Sequence, residues 1–229
     1  MPKFIVANGC SFTHEYYLST QDRWTTRCGV NVNLALGGRG NDRIFYTTVE
    51  YLNEHRPDVL IIGWSACDRF MLPNKNGSTI VGSPWRTFDE NTGRDCNEHS
   101  DFYYEHCHNF YTSFERTLNY IQHLDSYCNS HSIKLLHFNA WLPDIDDKSL
   151  TQYATNSFMN RDTKDIAWQG IQTNKRKLSN LIEKLDRKNW IKEFWCSMPK
   201  YCKDFPLEKD GHPGVEGSKH WAELVASHL

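Results

Sequence analysis

The sequence has no long hydrophobic run and no excess of charge of one sign. No apolar stretch approaches the ~18 residues that span a bilayer. The N-terminal MPKFIVANG lacks the apolar segment and the small-residue cleavage site of a signal peptide. The formal net charge of −2 at pH 7 argues against a general nucleic-acid binder, which normally carries a basic face. These absences predict a cytoplasmic protein without a membrane or nucleic-acid partner.

Paired cysteine spacings are also missing. The chain has 8 cysteines in 229 residues but no CxxC pair, and without a secretion signal we expect reduced thiols. One cluster, in DCNEHSDFYYEHCHNF, places Cys96, His99, His106, Cys107 and His108 within a short stretch. Zinc binding is one interpretation, but the paired spacing of a structural zinc finger is absent. We favour a polar insertion that leads into a helix.

The rest of the chain alternates short apolar segments with helical patterns. The apolar segments are bounded by turn residues, which is typical of buried strands. Between them, apolar residues recur every three or four positions, which indicates helices. The predicted strands are Phe4–Ala7, Val32–Ala35, Val59–Gly63, Ile133–Asn139 and, more weakly, Trp190–Trp195, and the predicted helices are Asn41–His55, Asn109–Cys128, Asn174–Arg187 and Pro213 to the C-terminus.

This alternation predicts a three-layer α/β/α sandwich around a central, mostly parallel sheet. Because no proline- or serine-rich linker divides its 229 residues, the chain is expected to form a single domain, 1–229. Two stretches rich in turn formers, near 72–100 and 143–170, are predicted to be loop insertions. Loops of that length are often functional, so we expect at least one to shape a substrate cleft.

Three of the predicted strands end in small polar or glycine-rich turns. ANGCSFTHEY follows the first strand, NLALGGRGND the second, and IIGWSACDRF ends the third. In a parallel sheet such turns meet at one edge, where α/β proteins bind ligands. A serine such as Ser11 attacks only if a base takes its proton and donors stabilise the oxyanion. Asp210 and His212, in KDGHPGVEG, can supply that base, although a polar turn that caps a helix is the alternative.

The order of these turns resembles the SGNH, or GDSL-like, hydrolase family. The four family blocks resemble Gly9-Cys10-Ser11, Gly38, Gly63-Trp64-Ser65 and Asp210-Gly211-His212-Pro213, in that order. The resemblance implies an SGNH-hydrolase or flavodoxin-like α/β/α fold. It also implies a serine hydrolase with Ser11 as nucleophile, His212 as base, Asp210 as the orienting carboxylate and Gly38 in the oxyanion hole. Such a mechanism needs no metal or organic cofactor.

Two positions depart from the family pattern. Ser65 stands where the family has its oxyanion asparagine, so Asn41 is a candidate substitute, as is Asn8. Losing one oxyanion donor typically costs ~10²–10³ in turnover. The aspartate–histidine spacing is one residue shorter than in the family, which allows a Ser–His dyad or another carboxylate such as Asp204. Losing the triad aspartate can cost ~10⁴.

Further candidate residues flank the same turns. Cys10 is an alternative nucleophile, but neighbouring side chains on an extended strand point to opposite faces, and the resemblance favours the serine. Asp68 and Arg69 can form an ion pair that shapes their loop or contacts substrate. Arg39 and Arg43 can attract an anionic substrate, although exposed arginines at a helix start are common.

The predicted function is removal of a small acyl group, such as acetyl, from a small-molecule or carbohydrate ester. A polar substrate is favoured because no large apolar lid is evident. The departures from the family pattern leave two alternatives open: an acyltransferase on the same scaffold, or a catalytically weak or inactive binding protein with the SGNH fold.

Overall fold

The computed structural model describes residues 2–75, 77–83, 86–96, 102–140, 180, 183–192, 196–208 and 211–229. The strands are β1 (Ile5–Asn8), β2 (Val32–Asn33), β3 (Val59–Trp64), β4 (Phe70–Pro73), β5 (Thr79–Ser83), β6 (Arg86–Asp89) and β7 (Lys134–Asn139). The helices are α1 (Ser11–His14), α2 (Trp24–Arg27), α3 (Asn41–Glu54), α4 (Phe110–Ser130), α5 (Met198–Tyr201) and α6 (Val215–Ala226), with short 3₁₀ or π turns at Thr20–Asp22, Tyr103–Cys107 and Arg187–Asn189.

Four strands form a parallel sheet in the order β2-β1-β3-β7. Strands β1 and β3 are buried along their whole length, as the apolar sequences of both predict. From β1 the chain reaches β2 on one side, and then crosses back over β1 to place β3 on the other side. This reversal of strand order creates a crevice at the carboxyl ends of β1 and β3, which is where ligands bind in open α/β sheets.

Helices cover both faces of this sheet. On one face, Asn8 of β1 bonds to α3, and His137 of β7 lies 3.3 Å from Asp125 of α4. On the other face, Phe138 packs against Trp24 of α2 and Trp221 of α6. Successive β7 residues thus point to opposite layers, as the period of a strand requires. The predicted three-layer α/β/α sandwich with a parallel central sheet is confirmed.

The stretch near 72–100 differs from the expected irregular loop in its described part. Strands β4, β5 and β6 form a separate antiparallel sheet, with Phe70 opposite Gly82 and Ile80 opposite Asp89. A tight turn connects β4 to β5, where Gly77 N donates to Asn74 O at 3.0 Å. Glycine and proline interrupt the apolar alternation here, so the sequence pattern shows the turns and conceals the short strands.

Other predictions meet the structure only in part. Of the weak fifth strand, Trp190–Trp195, residues 193–195 lie outside the described residues; in its described part Trp190 forms an isolated parallel bridge to His137, and Ser197, just beyond it, forms one to Asn139. The insertion near 143–170 and most of the predicted helix Asn174–Arg187 lie outside the described residues. Within the described ranges, no helix combines the length and the apolar character needed to cross a membrane.

Candidate active site

The serine of the first turn lies within hydrogen-bond distance of a histidine near the C-terminus. Ser11 Oγ and His212 Nε2 are 2.7 Å apart, although 201 positions separate them in sequence. Ser11 begins α1 just after β1, and the N–H groups of Thr13 and His14 both donate to Cys10 O. This short helix therefore fixes the serine at the carboxyl edge of the parallel sheet.

Two glycines allow α1 to lie close to that edge. A Cβ on Gly9 would collide with Thr13 Oγ1 and would lie 3.0 Å from Gly63 O. A Cβ on Gly63 would lie 2.6 Å from the same Thr13 Oγ1. Contacts this short do not occur between real side chains, so larger residues here would push α1, and with it the serine, away from the sheet.

The loop before α6 presents the histidine. The His212 ring lies 4.3 Å from the Phe12 ring and 4.7 Å from the Tyr17 ring, measured between centroids. Glu208 N donates to His212 O at 2.8 Å, and Gly211 turns the chain in the left-handed region with φ 82°. Two aromatic rings and a closed loop thus hold the imidazole against the serine.

The predicted orienting carboxylate, Asp210, lies outside the described residues, so its role stays a prediction. His212 uses Nε2 for the serine, which leaves Nδ1 as the ring atom that an orienting group would bind. Asp204, the alternative carboxylate, is exposed to solvent.

The glycine-rich turn after β2 runs beside the serine. Gly38 has φ 84°, a left-handed conformation that glycine adopts without strain. A Cβ on Gly38 would lie 2.8 Å from the Phe88 ring, so this ring covers the glycine closely. A Cβ on the preceding Gly37 would lie 4.0 Å from Ser11 Cβ and 3.4 Å from the Tyr16 ring. Gly37 therefore brings this turn close to the candidate nucleophile.

The Asn41 side chain binds the backbone of Ser65. Asn41 Oδ1 accepts from Ser65 N at 2.8 Å, and Asn41 Nδ2 donates to Ser65 O at 2.9 Å and to Thr117 Oγ1 at 3.1 Å. Both amide hydrogens of Asn41 are therefore committed. The Ser65 hydroxyl is buried and has no hydrogen-bond partner within the described part of the chain. Asn41 thus fixes the position of Ser65.

The second candidate amide, Asn8, is likewise committed elsewhere. Its Nδ2 donates to Ile44 O, Thr47 Oγ1 and Thr48 Oγ1 of α3, while its Oδ1 accepts from Gly9 N. The side chain is fully buried. Asn8 therefore joins β1 to α3 on the face of the sheet opposite α1.

The cations near the glycine turn are largely paired. Arg39 and Arg43 each bind one oxygen of Glu90, at 2.7 and 2.8 Å. Because Glu90 directly follows β6, this pairing ties the antiparallel sheet to the glycine-rich turn and reduces the positive charge available to a substrate. Arg69 is buried and donates from Nη1 to Arg39 O at 3.2 Å, which braces the same turn. Asp68 beside it is also buried.

Two further candidates from the sequence, Cys10 and the cysteine–histidine cluster, are not part of the serine–histidine pair. Cys10 is fully buried among core residues, as expected for the side chain that points behind the strand. Of the cysteine–histidine cluster, His99 lies outside the described residues. Within the described ranges, no three histidine, cysteine or acidic side chains come together as a metal site would require.

Three residues near the site escaped the sequence analysis. Phe88 covers Gly38, Glu90 joins the two arginines, and the carboxyl group of Glu15 is fully buried next to α1. The first two lie in the stretch interpreted as a loop, where no pattern marked them. The one available signal for Glu15 was an acidic residue within the aromatic stretch SFTHEYY.

Solved structures match the whole chain. Esterase EstA from Pseudoalteromonas sp. matches with a TM-score of 0.51 and 9% identity, covering 99% of this chain and 96% of its own. The acetyl xylan esterase AlAXEase matches with a TM-score of 0.50 and 15% identity, covering 99% and 100%. A member of the lipolytic protein G-D-S-L family from Veillonella parvula matches with a TM-score of 0.47 and 10% identity, covering 97% and 96%.

No family model matches the chain, and no curated protein is significantly similar to it in sequence. At these identities the solved structures establish the fold. The resemblance to the SGNH or GDSL-like hydrolases is therefore confirmed as a likeness of three-dimensional structure.

Proposed function

We propose that the protein is a serine esterase of the SGNH type that removes a small acyl group, such as acetyl, from a polar or carbohydrate ester. The observation that carries this proposal is the 2.7 Å contact between Ser11 Oγ and His212 Nε2 at the carboxyl edge of the sheet. A nucleophile and a base within hydrogen-bond reach are the minimum that acyl transfer through a serine requires. The esterases among the structural neighbours support the same reaction class.

The chemistry proceeds in two steps. Ser11 Oγ attacks the ester carbonyl carbon while His212 Nε2 takes the hydroxyl proton, and the same nitrogen then returns this proton to the departing alcohol oxygen. Water next attacks the acyl-serine, His212 again takes and returns a proton, and the carboxylic acid leaves with Ser11 restored. In this proposal Asp210 orients the imidazole through Nδ1.

The oxyanion is stabilised by the backbone N–H groups of Ser11 and Gly38. Ser65 is the side-chain donor that we favour, because its hydroxyl is unpartnered within the described residues and its backbone is held by Asn41. Asn8 of β1 and Ile62 of β3 are paired in the sheet. Ser11 lies three residues beyond Asn8 and Ser65 lies three residues beyond Ile62, so the two serines follow neighbouring strands at the same distance. Since the amide of Asn41 is committed, its role is to position Ser65.

Two features near Gly38 support a short acyl group and a polar leaving group. The Phe88 ring lies against Gly38, and Glu90 anchors the sheet that carries this ring, so little room remains there for a long acyl chain. Tyr16, which is 56% exposed, flanks the neighbouring Gly37 and offers an open aromatic face for a sugar ring or other leaving group.

The direct test is hydrolysis of p-nitrophenyl acetate together with labelling by a fluorophosphonate probe. Ser11→Ala and His212→Ala should reduce both to background. Cys10→Ala separates the two candidate nucleophiles and should retain labelling, and His220→Ala, a half-exposed histidine of α6, is the matched histidine control.

Labelling that persists in Ser11→Ala would identify a different nucleophile. A folded wild type that neither labels nor hydrolyses esters would disprove the esterase and favour a binding protein. Acyl transfer to an added alcohol in preference to water would identify an acyltransferase.

A further inference from the structure

Glu15 ends the helix that carries the candidate nucleophile, and it does so in an unfavourable backbone conformation. Its φ of 47° and ψ of 41° lie in the left-handed region, which disfavours side chains other than glycine, asparagine and aspartate. Its N–H donates to Ser11 O at 2.8 Å and closes the turn that begins with the serine. Strained residues of this kind persist where the surroundings hold them, often at functional sites.

The Glu15 side chain joins α1 to α2. Its carboxyl group is fully buried, and Oε2 accepts from Trp24 N, the first N–H of α2, at 2.6 Å. In return, Trp24 Nε1 donates to Phe12 O of α1 at 2.9 Å. These two hydrogen bonds fix the nucleophile turn against α2, which itself packs on α6.

The surroundings of the other carboxyl oxygen favour a neutral acid. Oε1 is buried and has no well-aligned partner within the described residues. The Ser218 hydroxyl of α6 faces the carboxyl group, but its single hydrogen is donated to Asp22 O at 3.0 Å. While Ser218 donates to Asp22 O, a carboxylate would leave Oε1 without a donor. A carboxylic acid can instead donate from Oε1 to a free lone pair of Ser218 Oγ.

Burial and the charges around Glu15 also favour the neutral acid. Burial raises the pKa of Glu15 to about 8, against the opposing influence of hydrogen bonds and of Arg23 and Arg27. Arg27 is itself paired with the Asp22 carboxylate at 3.0 Å. The other titratable neighbours are Cys28 after α2 and Cys202 after α5, whose pKa values burial raises to about 12, so both are neutral thiols. Of the two nearby cations, Arg27 is thus engaged by Asp22, and the influence of Arg23 on the pKa of Glu15 is smaller than that of burial.

We propose that Glu15, held as a neutral carboxylic acid, is a positioning residue that aligns Ser11 with His212. It links the nucleophile turn to α2 and to α6, the helix that begins three residues after His212. Loss of its proton places an uncompensated charge between these elements and displaces the serine from the histidine. A displacement of about 1 Å is sufficient to cost ~10²-fold in rate.

The test compares Glu15→Gln, which cannot ionise but can still accept from Trp24 N, with Glu15→Gly, which relieves the backbone strain but removes the side chain. For p-nitrophenyl acetate from about pH 6 to about pH 10, wild-type kcat should fall reversibly around pH 8. The Gln variant should keep its neutral kcat within about threefold and lack this fall. The Gly variant should lose about tenfold or more in kcat with little change in KM.

Glu216→Gln, an exposed carboxyl group in the first turn of α6, is the matched control and should leave the profile unchanged. A fall near pH 8 that persists in the Gln variant, or wild-type kcat in the Gly variant, would overturn the proposal.

Because this proposal rests on the esterase assignment for its kinetic readout, NMR of the histidine rings provides a separate one. With the His212 signal assigned by comparison with His212→Ala, the wild-type resonance should show a transition near pH 8 that Glu15→Gln lacks. If the transition occurs in a protein that does not hydrolyse esters, the esterase proposal is disproved and the positioning role of Glu15 is retained. Absence of the transition would disprove the positioning role even in an active esterase.

Discussion

Two histidines of this protein occupy contrasting environments. His212 lies in a loop at the carboxyl edge of the sheet, with Nε2 on Ser11 Oγ. His137 lies within β7, fully buried, where its Nδ1 accepts from Trp64 Nε1 at 3.1 Å and its Nε2 lies 3.3 Å from Asp125 Oδ1. Asn189 Nδ2 also donates to Asp125, at 2.8 Å.

The comparison shows that a histidine–carboxylate pair is not by itself evidence for catalysis. His137 has a carboxylate and a second ring partner, but the partner is an indole N–H, which is a donor and cannot act as a nucleophile. Its network satisfies buried polar groups between β7, α4 and the Arg187–Asn189 turn. His212 has a hydroxyl partner at the carboxyl edge of the sheet, where ligands bind in open α/β sheets, and this placement supports catalysis.

The sharpest test of this contrast replaces each histidine by alanine. His212→Ala should reduce kcat by ~10³-fold or more, because the general base is lost, with little change in the free energy of unfolding. His137→Ala should leave kcat per folded molecule within about threefold but lower the free energy of unfolding by ~2–4 kcal/mol, because Asp125 and Trp64 Nε1 lose a buried partner. Ester hydrolysis measures kcat, and chemical denaturation measures the free energy of unfolding. Equal losses of kcat in the two variants would contradict the distinction between His212 and His137.

A smaller loss of kcat is expected when Asn41, which holds the backbone of Ser65, is replaced. Asn41→Ala removes the two hydrogen bonds that hold the Ser65 backbone and should lower kcat by about tenfold to a hundredfold, since the oxyanion donor is no longer fixed. Thr117→Val removes only the third contact of Asn41 and should cost less than about threefold. Steady-state kinetics checks both variants. Unchanged kcat in Asn41→Ala would remove Ser65 from the oxyanion site.

The smallest predicted effect concerns the antiparallel sheet. Phe88→Ala should raise kcat/KM for p-nitrophenyl octanoate relative to the acetate by about fivefold, because the ring against Gly38 no longer limits the acyl chain. Tyr16→Ala, on the exposed side of the same turn, should leave this ratio unchanged. If the octanoate-to-acetate ratio changes in Tyr16→Ala and not in Phe88→Ala, the acyl group lies on the Tyr16 side and the leaving group on the Phe88 side, the reverse of this proposal.

The sequence alone predicted the α/β/α architecture and its three polar turns, because apolar periodicity and turn residues are local properties. Strands β1, β3 and β7 were located within one residue at each end. The pattern failed for β4 to β6, since Gly77, Gly82 and the prolines near them break the short alternation while long-range pairing still forms the sheet.

The tertiary structure decided which side chains meet. Ser11 and His212 were each candidates from the sequence, but their contact joins ends of the chain that only the sheet brings together. Asn41 had the right chemistry for an oxyanion donor, yet packing commits its amide to Ser65 and Thr117. Glu15 was marked only as an acidic residue within an aromatic stretch, because its burial and the partner of its carboxyl group depend on α2 and α6. Hydrogen-bond partners and burial are properties of the assembled layers, whereas strand and turn propensities belong to each short segment of the sequence.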